Sequence, residues 1–68
     1  MIEKLKEFFE YNIKLMQWTD SENDRKIYYH RVFGVVEFVY DNANLQEKED
    51  IRKLWDEWKE ILEIEVYR

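Results

Sequence analysis

The sequence contains no proline and only one glycine, Gly34, and this shortage limits the turns that the chain can make. Tight β-hairpin turns need positive φ angles, which favour glycine and asparagine at defined positions. A sheet of short strands is therefore disfavoured, because such strands are normally separated by clusters of turn residues. Helices joined by short polar connections remain, and the sequence predicts an all-α fold.

Two polar clusters, residues 19–24 and 41–44, divide the chain. Each contains a capping side chain three residues before an acidic one, which is the pattern that starts many helices. The possible pairs are Thr19 with Glu22, Ser21 with Asp24, and Asn44 with Glu47. The clusters predict three helices, at roughly residues 2–18, 21–41 and 45–64. The alternating pattern of residues 63–67 indicates a last helix that frays or a tail that extends.

Short connections between helices of similar length favour antiparallel neighbours. We therefore predict one helical domain, residues 1–68, folded as an antiparallel up-down-up three-helix bundle whose handedness the sequence does not fix. The chain has no cysteine, which excludes disulfides and thiolate metal sites. A domain this small buries only about 60% of its unfolded surface, and a partner is one way to add stability.

The first and third helices each have an apolar face suited to a core. In the first helix it comprises Ile2, Leu5, Phe9, Ile13 and Met16. In the third it comprises Ile51, Leu54, Trp55, Trp58, Ile61 and Leu62. The first helix has a second stripe beside its core face, formed by Phe8, Tyr11, Leu15 and Trp18. We expect the tryptophans of the third helix to fill the core rather than to stack on nucleic-acid bases.

The middle helix contains the stretch KIYYHRVFGVVEFVYDN, residues 26–42, which is apolar around most of its circumference. As a strand it would be apolar on both faces and would need a sheet that the chain cannot supply. As a helix it gathers its polar residues on one narrow edge, formed by Lys26, His30, Glu37 and Asp41. The remaining apolar arc spans about 240°, whereas two helix contacts need an arc of about 140–160°.

Gly34 lies in the middle of this helix, where glycine costs roughly 1 kcal/mol relative to alanine. We expect close packing to offset that cost. Gly34, Ile27 and Phe38 would form one strip that admits a bulky ring or a second copy of the helix.

The sequence contains no recognisable catalytic, cofactor-binding or metal-binding pattern. His30, the only histidine, lies on the polar edge and is expected to be a solvated surface residue. The acids of residues 20–24 resemble the start of a calcium loop, but Arg25 and Arg31 occupy the positions that require glycine and a bidentate acid. A di-iron site would need Glu three residues before His30, where the chain has Ile27. We predict no enzyme, no metal and no cofactor.

The net charge of −5 disfavours direct binding to nucleic acid, whose phosphates attract lysine and arginine. The acid-rich third helix suggests a basic protein partner instead, although interspersed lysines make a solvated surface the simpler interpretation. The charges of the first helix interrupt its apolar residues, so neither a signal peptide nor a membrane span is predicted. We expect a cytoplasmic protein, of a composition frequent among small bacterial and phage proteins.

The excess apolar surface is the best indication of function, because large exposed apolar patches mark interaction sites. We expect a small accessory or regulatory protein that binds other proteins, and a homodimer as the commonest symmetric assembly. The predicted interface comprises Phe8, Tyr11, Leu15, Trp18, Ile27, Tyr28, Arg31, Gly34, Val35 and Phe38. One alternative is a ligand-binding or catalytic pocket between helices that uses His30, Glu37 or tyrosines. Another is a phage or mobile-element inhibitor that binds a basic protein surface.

Overall fold

The computed structural model describes all 68 residues, Met1–Arg68. Three α-helices follow in chain order, and no strand is present: α1 is Ile2–Trp18, α2 is Glu22–Asp41 and α3 is Leu45–Tyr67. Every pair of helices is in contact, and each connection is short, so that neighbouring helices run antiparallel. The predicted up-down-up three-helix bundle is confirmed.

Side-chain caps fix both internal helix starts, as the sequence predicts. For α2 the cap is Ser21, whose Oγ accepts a hydrogen bond from the backbone N–H of Asp24 at 3.2 Å. The hydroxyl of Thr19 accepts instead from the N–H of Ser21 at 3.1 Å. For α3 the capping box is complete, because Asn44 accepts from the N–H of Glu47 at 2.8 Å and donates its own N–H to the Glu47 carboxylate at 3.2 Å. These bonds satisfy donors that helix starts leave free.

Nine buried apolar side chains from all three helices form the core. They are Leu5, Phe9, Met16, Val32, Val36, Ile51, Leu54, Leu62 and Val66. The predicted core face of α1 is correct, since its remaining members, Ile2 and Ile13, are half-buried against this cluster. The middle helix contributes Val32 and Val36 to this set, and its tyrosines and remaining valines pack half-buried against it.

Aromatic rings extend the core on one side. Phe9 of α1 is fully buried, and its ring centroid lies 6.2 Å from that of Trp55 and 5.7 Å from that of Trp58. The rings of Tyr29 and Phe33 on α2 approach Trp55 at 6.3 and 5.8 Å. These tilted and edge-on arrangements are the ones that aromatic pairs prefer. The two tryptophans of α3 therefore pack half-buried against the core, on the face that the sequence predicts.

The end of α3 differs from the prediction, because the helix continues to Tyr67 instead of ending near residue 64. Val66 is 1% exposed and belongs to the core, whereas Ile61, which was predicted to be in the core, is 46% exposed. The buried line along α3 advances in steps of four residues, through Leu54, Trp58, Leu62 and Val66. A spacing of four drifts around a helix of 3.6 residues per turn, and this drift moves Ile61 out of the core.

Arg25 is 6% exposed and is the only charged residue in the buried set. It lies in the first turn of α2, on the same side as Val32 and Val36. Its Nε donates to the carbonyl of Val66 at 3.0 Å, and its Nη1 donates to the carbonyl of Thr19 at 3.2 Å. The guanidinium thus joins the ends of α1 and α3 to the start of α2.

A second arginine, Arg68, donates hydrogen bonds to backbone carbonyls at the same end of the bundle. The Nη2 of Arg68 donates to the carbonyls of Met16 at 2.8 Å and Thr19 at 3.2 Å. Neither α1 nor α3 has a basic residue in its last turn, although the end of a helix exposes carbonyls and a partial negative charge. Arg25 and Arg68 supply the missing donors and positive charges.

We expect Arg25→Ala to lower the free energy of unfolding by about 2–4 kcal/mol, because hydrogen bonds to a charged group contribute about 1.5–3 kcal/mol and the carbonyl of Val66 would lose its arginine partner. Chemical denaturation monitored by circular dichroism measures the change. The exposed Lys53, which makes no ion pair or hydrogen bond, provides the control variant Lys53→Ala, expected within about 0.5 kcal/mol of the wild type. Equal stability of the Arg25 variant would contradict the structural role.

Asn12 is a polar side chain in the core of α1, with no exposed surface. Its Nδ2 donates to the carbonyl of Phe8 at 2.9 Å, whereas its Oδ1 accepts no hydrogen bond from the chain. A buried acceptor without a donor costs about 1–3 kcal/mol. We therefore expect the residue to lower the stability of the bundle.

We expect Asn12→Leu to raise the free energy of unfolding by about 1–2 kcal/mol. Leucine has the same branched shape, removes the unpaired acceptor and has the higher helix propensity. Thermal unfolding would show a higher midpoint. Asn12→Ala serves as the comparison, because it removes the same acceptor but leaves a cavity, and a lower midpoint for both variants would contradict this account.

Candidate interaction surface

A row of residues on the outer side of α2 is exposed although it is largely apolar. Ile27 is 52% exposed and Phe38 is 71% exposed, and the exposed Gly34 lies between them. Arg31 belongs to the same row and holds its guanidinium 5.2 Å from the centre of the Tyr28 ring. Residues three, four or seven positions apart lie on one side of a helix, so the row forms a continuous strip.

The second stripe of α1 is also exposed along its outer edge. Trp18 is 90% exposed and Tyr11 is 58% exposed, while Phe8 and Leu15 are half-buried. Tyr11, Leu15 and Trp18, together with Lys14, border a shallow depression of about 280 Å³. Trp18 thus contacts little of its own chain, which is unusual for the largest apolar side chain.

The two rows lie on the side of the bundle that α1 and α2 form together. Phe8 of α1 and Tyr28 and Val35 of α2 pack against the core, and helical spacing places the exposed rows next to them. We call the ten predicted interface residues the α1–α2 face. Six of them are exposed, namely Tyr11, Trp18, Ile27, Arg31, Gly34 and Phe38, and the other four are half-buried. Their role as an interface stays a prediction.

Gly34 corrects one expectation from the sequence. A Cβ atom built on Gly34 meets nothing within 4 Å, so no bulky ring of the same chain packs against the glycine. The backbone of α2 is open at this point, and Gly34 has no positive φ angle. Nothing within the chain therefore offsets the cost of about 1 kcal/mol that glycine imposes on a helix. The second possibility from the sequence, that another copy of the helix packs against Gly34, stays a prediction.

A groove of about 300 Å³ lies between α2 and α3. Its lining residues are Phe33, Val36, Glu37, Tyr40, Asp41, Ile51, Arg52 and Trp55. The Nη2 of Arg52 donates to the Tyr40 hydroxyl at 2.9 Å, and this bond raises the pKa of Arg52 above its ordinary value. Of the polar groups proposed for a pocket, Glu37 and a tyrosine line the groove, whereas His30 lies outside it.

Four of the eight acidic side chains of α3 are exposed and the other four are half-buried. Asp56, Glu60 and Glu63 border a shallow depression together with Lys59. The three ion pairs of the structure each join residues three positions apart at 3.7–4.0 Å, and none connects two helices. Two of the pairs are exposed, and such pairs contribute at most about 1 kcal/mol, whereas the Glu65 side chain of the third pair is only 14% exposed. Binding of a basic partner by the acids of α3 stays a prediction.

The polar clusters of the sequence have structural roles. Ser21, in the segment that resembles the start of a calcium loop, caps α2. No group of three or more His, Asp or Glu side chains is arranged to hold a metal ion. None of the helices combines the length and the apolar character that crossing a membrane requires.

Besides Ile61, five exposed large apolar residues lie outside the predicted interface, namely Met1, Phe33, Leu45, Ile64 and Tyr67. Leu45 is 85% exposed at the start of α3, and Ile64 and Tyr67 are 60% and 67% exposed near its end. Ile64 and Tyr67 are three positions apart on the outer side of α3. A predicted helix that continued to residue 67 would have placed both side chains on that side. Leu45 directly follows the capping residue Asn44, and no pattern in the sequence marks it as exposed.

Tyr29 connects α2 to α3 through a polar contact beside the aromatic core. Its hydroxyl donates to the Glu63 carboxylate at 3.4 Å. Burial and the neighbouring carboxylate of Glu63 raise the pKa of Tyr29 above 10.0. The folded protein therefore holds this proton more tightly than the unfolded chain does.

We expect the stability contributed by the neutral Tyr29 to be complete below about pH 10 and to fall as the pH rises further, because the unfolded chain loses its proton first. Tyr29→Phe should flatten the alkaline decline of the unfolding midpoint. Tyr11→Phe is the control, because Tyr11 is largely exposed and makes no hydrogen bond. An identical decline in the wild type and in Tyr29→Phe would contradict the effect.

No protein-family model matches the chain, and neither a curated protein nor a solved structure resembles it significantly. The function of the chain is therefore inferred from its own surface.

Proposed function

We propose that this chain is a small non-enzymatic interaction protein that forms a homodimer through the α1–α2 face. The observation that carries the proposal is the exposure of large apolar side chains on one side of the bundle, with Trp18 90% and Phe38 71% exposed. Apolar surface that a small chain leaves open is the usual mark of an interaction site.

The size of the face supports an interface. An aromatic side chain presents roughly 150–250 Å², so the exposed fractions of Trp18, Phe38 and Tyr11 leave roughly 450 Å² of ring surface. A standard interface buries about 800 Å² per partner. The three rings alone supply more than half of that area, and Ile27 and Arg31 extend it.

Burial of this apolar surface would favour association. Packing two such faces would remove roughly 900 Å² of aromatic surface, a gross gain of about 20 kcal/mol at ~25 cal/mol per Å². The cost of association is about 4–15 kcal/mol. Ordering of side chains and desolvation of polar groups add to this cost, so the affinity depends on how well the two faces fit.

Light scattering across a concentration series from micromolar to millimolar tests the proposal. We expect the wild type to approach twice the mass of one chain as the concentration rises. A mass of one chain over the whole range would contradict a homodimer and leave the face for a different protein.

We expect Phe38→Glu to weaken dimerisation at least about 100-fold, because it removes an apolar anchor and places a charge in the contact. The monomer should keep its fold, since Phe38 is mostly exposed, and circular dichroism checks this. The control is Ile64→Glu, which introduces the same charge at an exposed apolar position of α3, outside the α1–α2 face. Equal dimerisation of both variants would contradict the location of the interface.

A further inference from the structure

The polar edge of α2 comprises Lys26, His30, Glu37 and Asp41, and we call it the charged edge. All four residues are exposed, and none of their side chains takes part in an ion pair of the chain. The charged edge adjoins the exposed row of Ile27, Gly34 and Phe38, since the two sets lie on neighbouring sides of the helix.

The basic and acidic groups of the charged edge occupy opposite ends of it. The two basic positions come first in the chain and the two acidic positions come last. Lys26 and Asp41 are equally far from the point between Phe33 and Gly34, and so are His30 and Glu37. An antiparallel copy of α2 centred on that point would therefore bring each basic group opposite an acidic one.

The centre of this pattern coincides with the open backbone of Gly34. A Cβ atom placed there would meet nothing of the same chain within 4 Å, so a second helix can approach closely. Phe38 and Ile27, the exposed apolar residues of the row, lie on either side of the glycine. Two observations, an open contact point and a complementary order of basic and acidic side chains, thus select the same centre.

We propose that a second copy of the chain docks antiparallel along α2, with the two-fold axis of the dimer beside Gly34. Lys26 then faces the partner's Asp41, and His30 faces the partner's Glu37. In a symmetric antiparallel pair, equivalent edges of the two helices lie next to each other along the contact. The two charged edges therefore face each other. A parallel arrangement would instead oppose Lys26 to its own copy and Asp41 to its own copy.

This inference rests on the proposed homodimer and specifies its geometry. The exposed apolar row supplies the affinity, and the charged edge supplies the orientation, because charges at the rim of an interface direct its register more than they strengthen it.

A charge swap tests the orientation. We expect Lys26→Glu and Asp41→Lys each to weaken dimerisation about tenfold at low salt, because each creates two like-charged contacts in a symmetric dimer. The double variant should return to within about threefold of the wild type, because the swapped charges again attract across the antiparallel contact. Lys53→Glu, an exposed position on α3, controls for the change in net charge and should leave dimerisation unchanged.

A disulfide test examines the position of the axis, and the chain has no cysteine of its own. We expect Gly34→Cys to form a disulfide-linked dimer readily under mild oxidation, because the two copies of residue 34 meet at the axis. Asp41→Cys should not, because an axis beside Gly34 separates its two copies by about 22 Å along the helices at 1.5 Å per residue.

The outcomes separate this inference from the proposed function. A wild type that stays monomeric would overturn both. A dimer whose single charge variants are unaffected, whose double variant is not restored, or in which Asp41→Cys links as readily as Gly34→Cys would overturn the antiparallel arrangement while the homodimer stands.

Discussion

The contact of the Arg25 guanidinium with the carbonyls of Val66 and Thr19 holds together the end of the bundle where all three helices meet. The up-down-up order brings the ends of α1 and α3 side by side, and each helix end carries unpaired carbonyls and partial negative charge. One buried cation from the start of α2 neutralises both. Because a chain of this size has only about 3–10 kcal/mol of stability, a contribution of a few kcal/mol from one residue is a large share of the total.

The core also explains why α2 has so much apolar surface outside it. Two valines of α2 are fully buried, and its tyrosines and remaining valines lie half-buried along the contacts with α1 and α3. Each helix of a three-helix bundle contacts two others, which leaves one side without a neighbour. In all three helices the exposed side is mostly charged or polar and also includes large apolar side chains, which in α2 are Ile27, Phe33 and Phe38. The exposed row is therefore a property of the sequence of α2 and is not required by the fold.

Local patterns in the sequence predicted the helix starts well, because Ser21 and Asn44 bind backbone groups only three residues away. The buried roles of Arg25 and Asn12 could not be predicted in this way, since the carbonyl that Arg25 binds belongs to residue 66. The end of α3 was missed for a similar reason, because burial of Val66 and the bonds of Arg68 outweigh the alternating pattern of residues 63–67. The members of the α1–α2 face were identified from helical spacing, but their exposure depends on the packing of all three helices.

The exposure of Trp18 provides an intrinsic fluorescence probe. Trp55 and Trp58 lie half-buried beside Phe9, whereas the indole of Trp18 is almost fully in water. A soluble fluorescence quencher therefore reaches Trp18 far more easily than the other two, and the quenched fraction of the emission reports on this one ring. Whatever molecule covers the end of α1 can thus be followed in solution without attaching a dye.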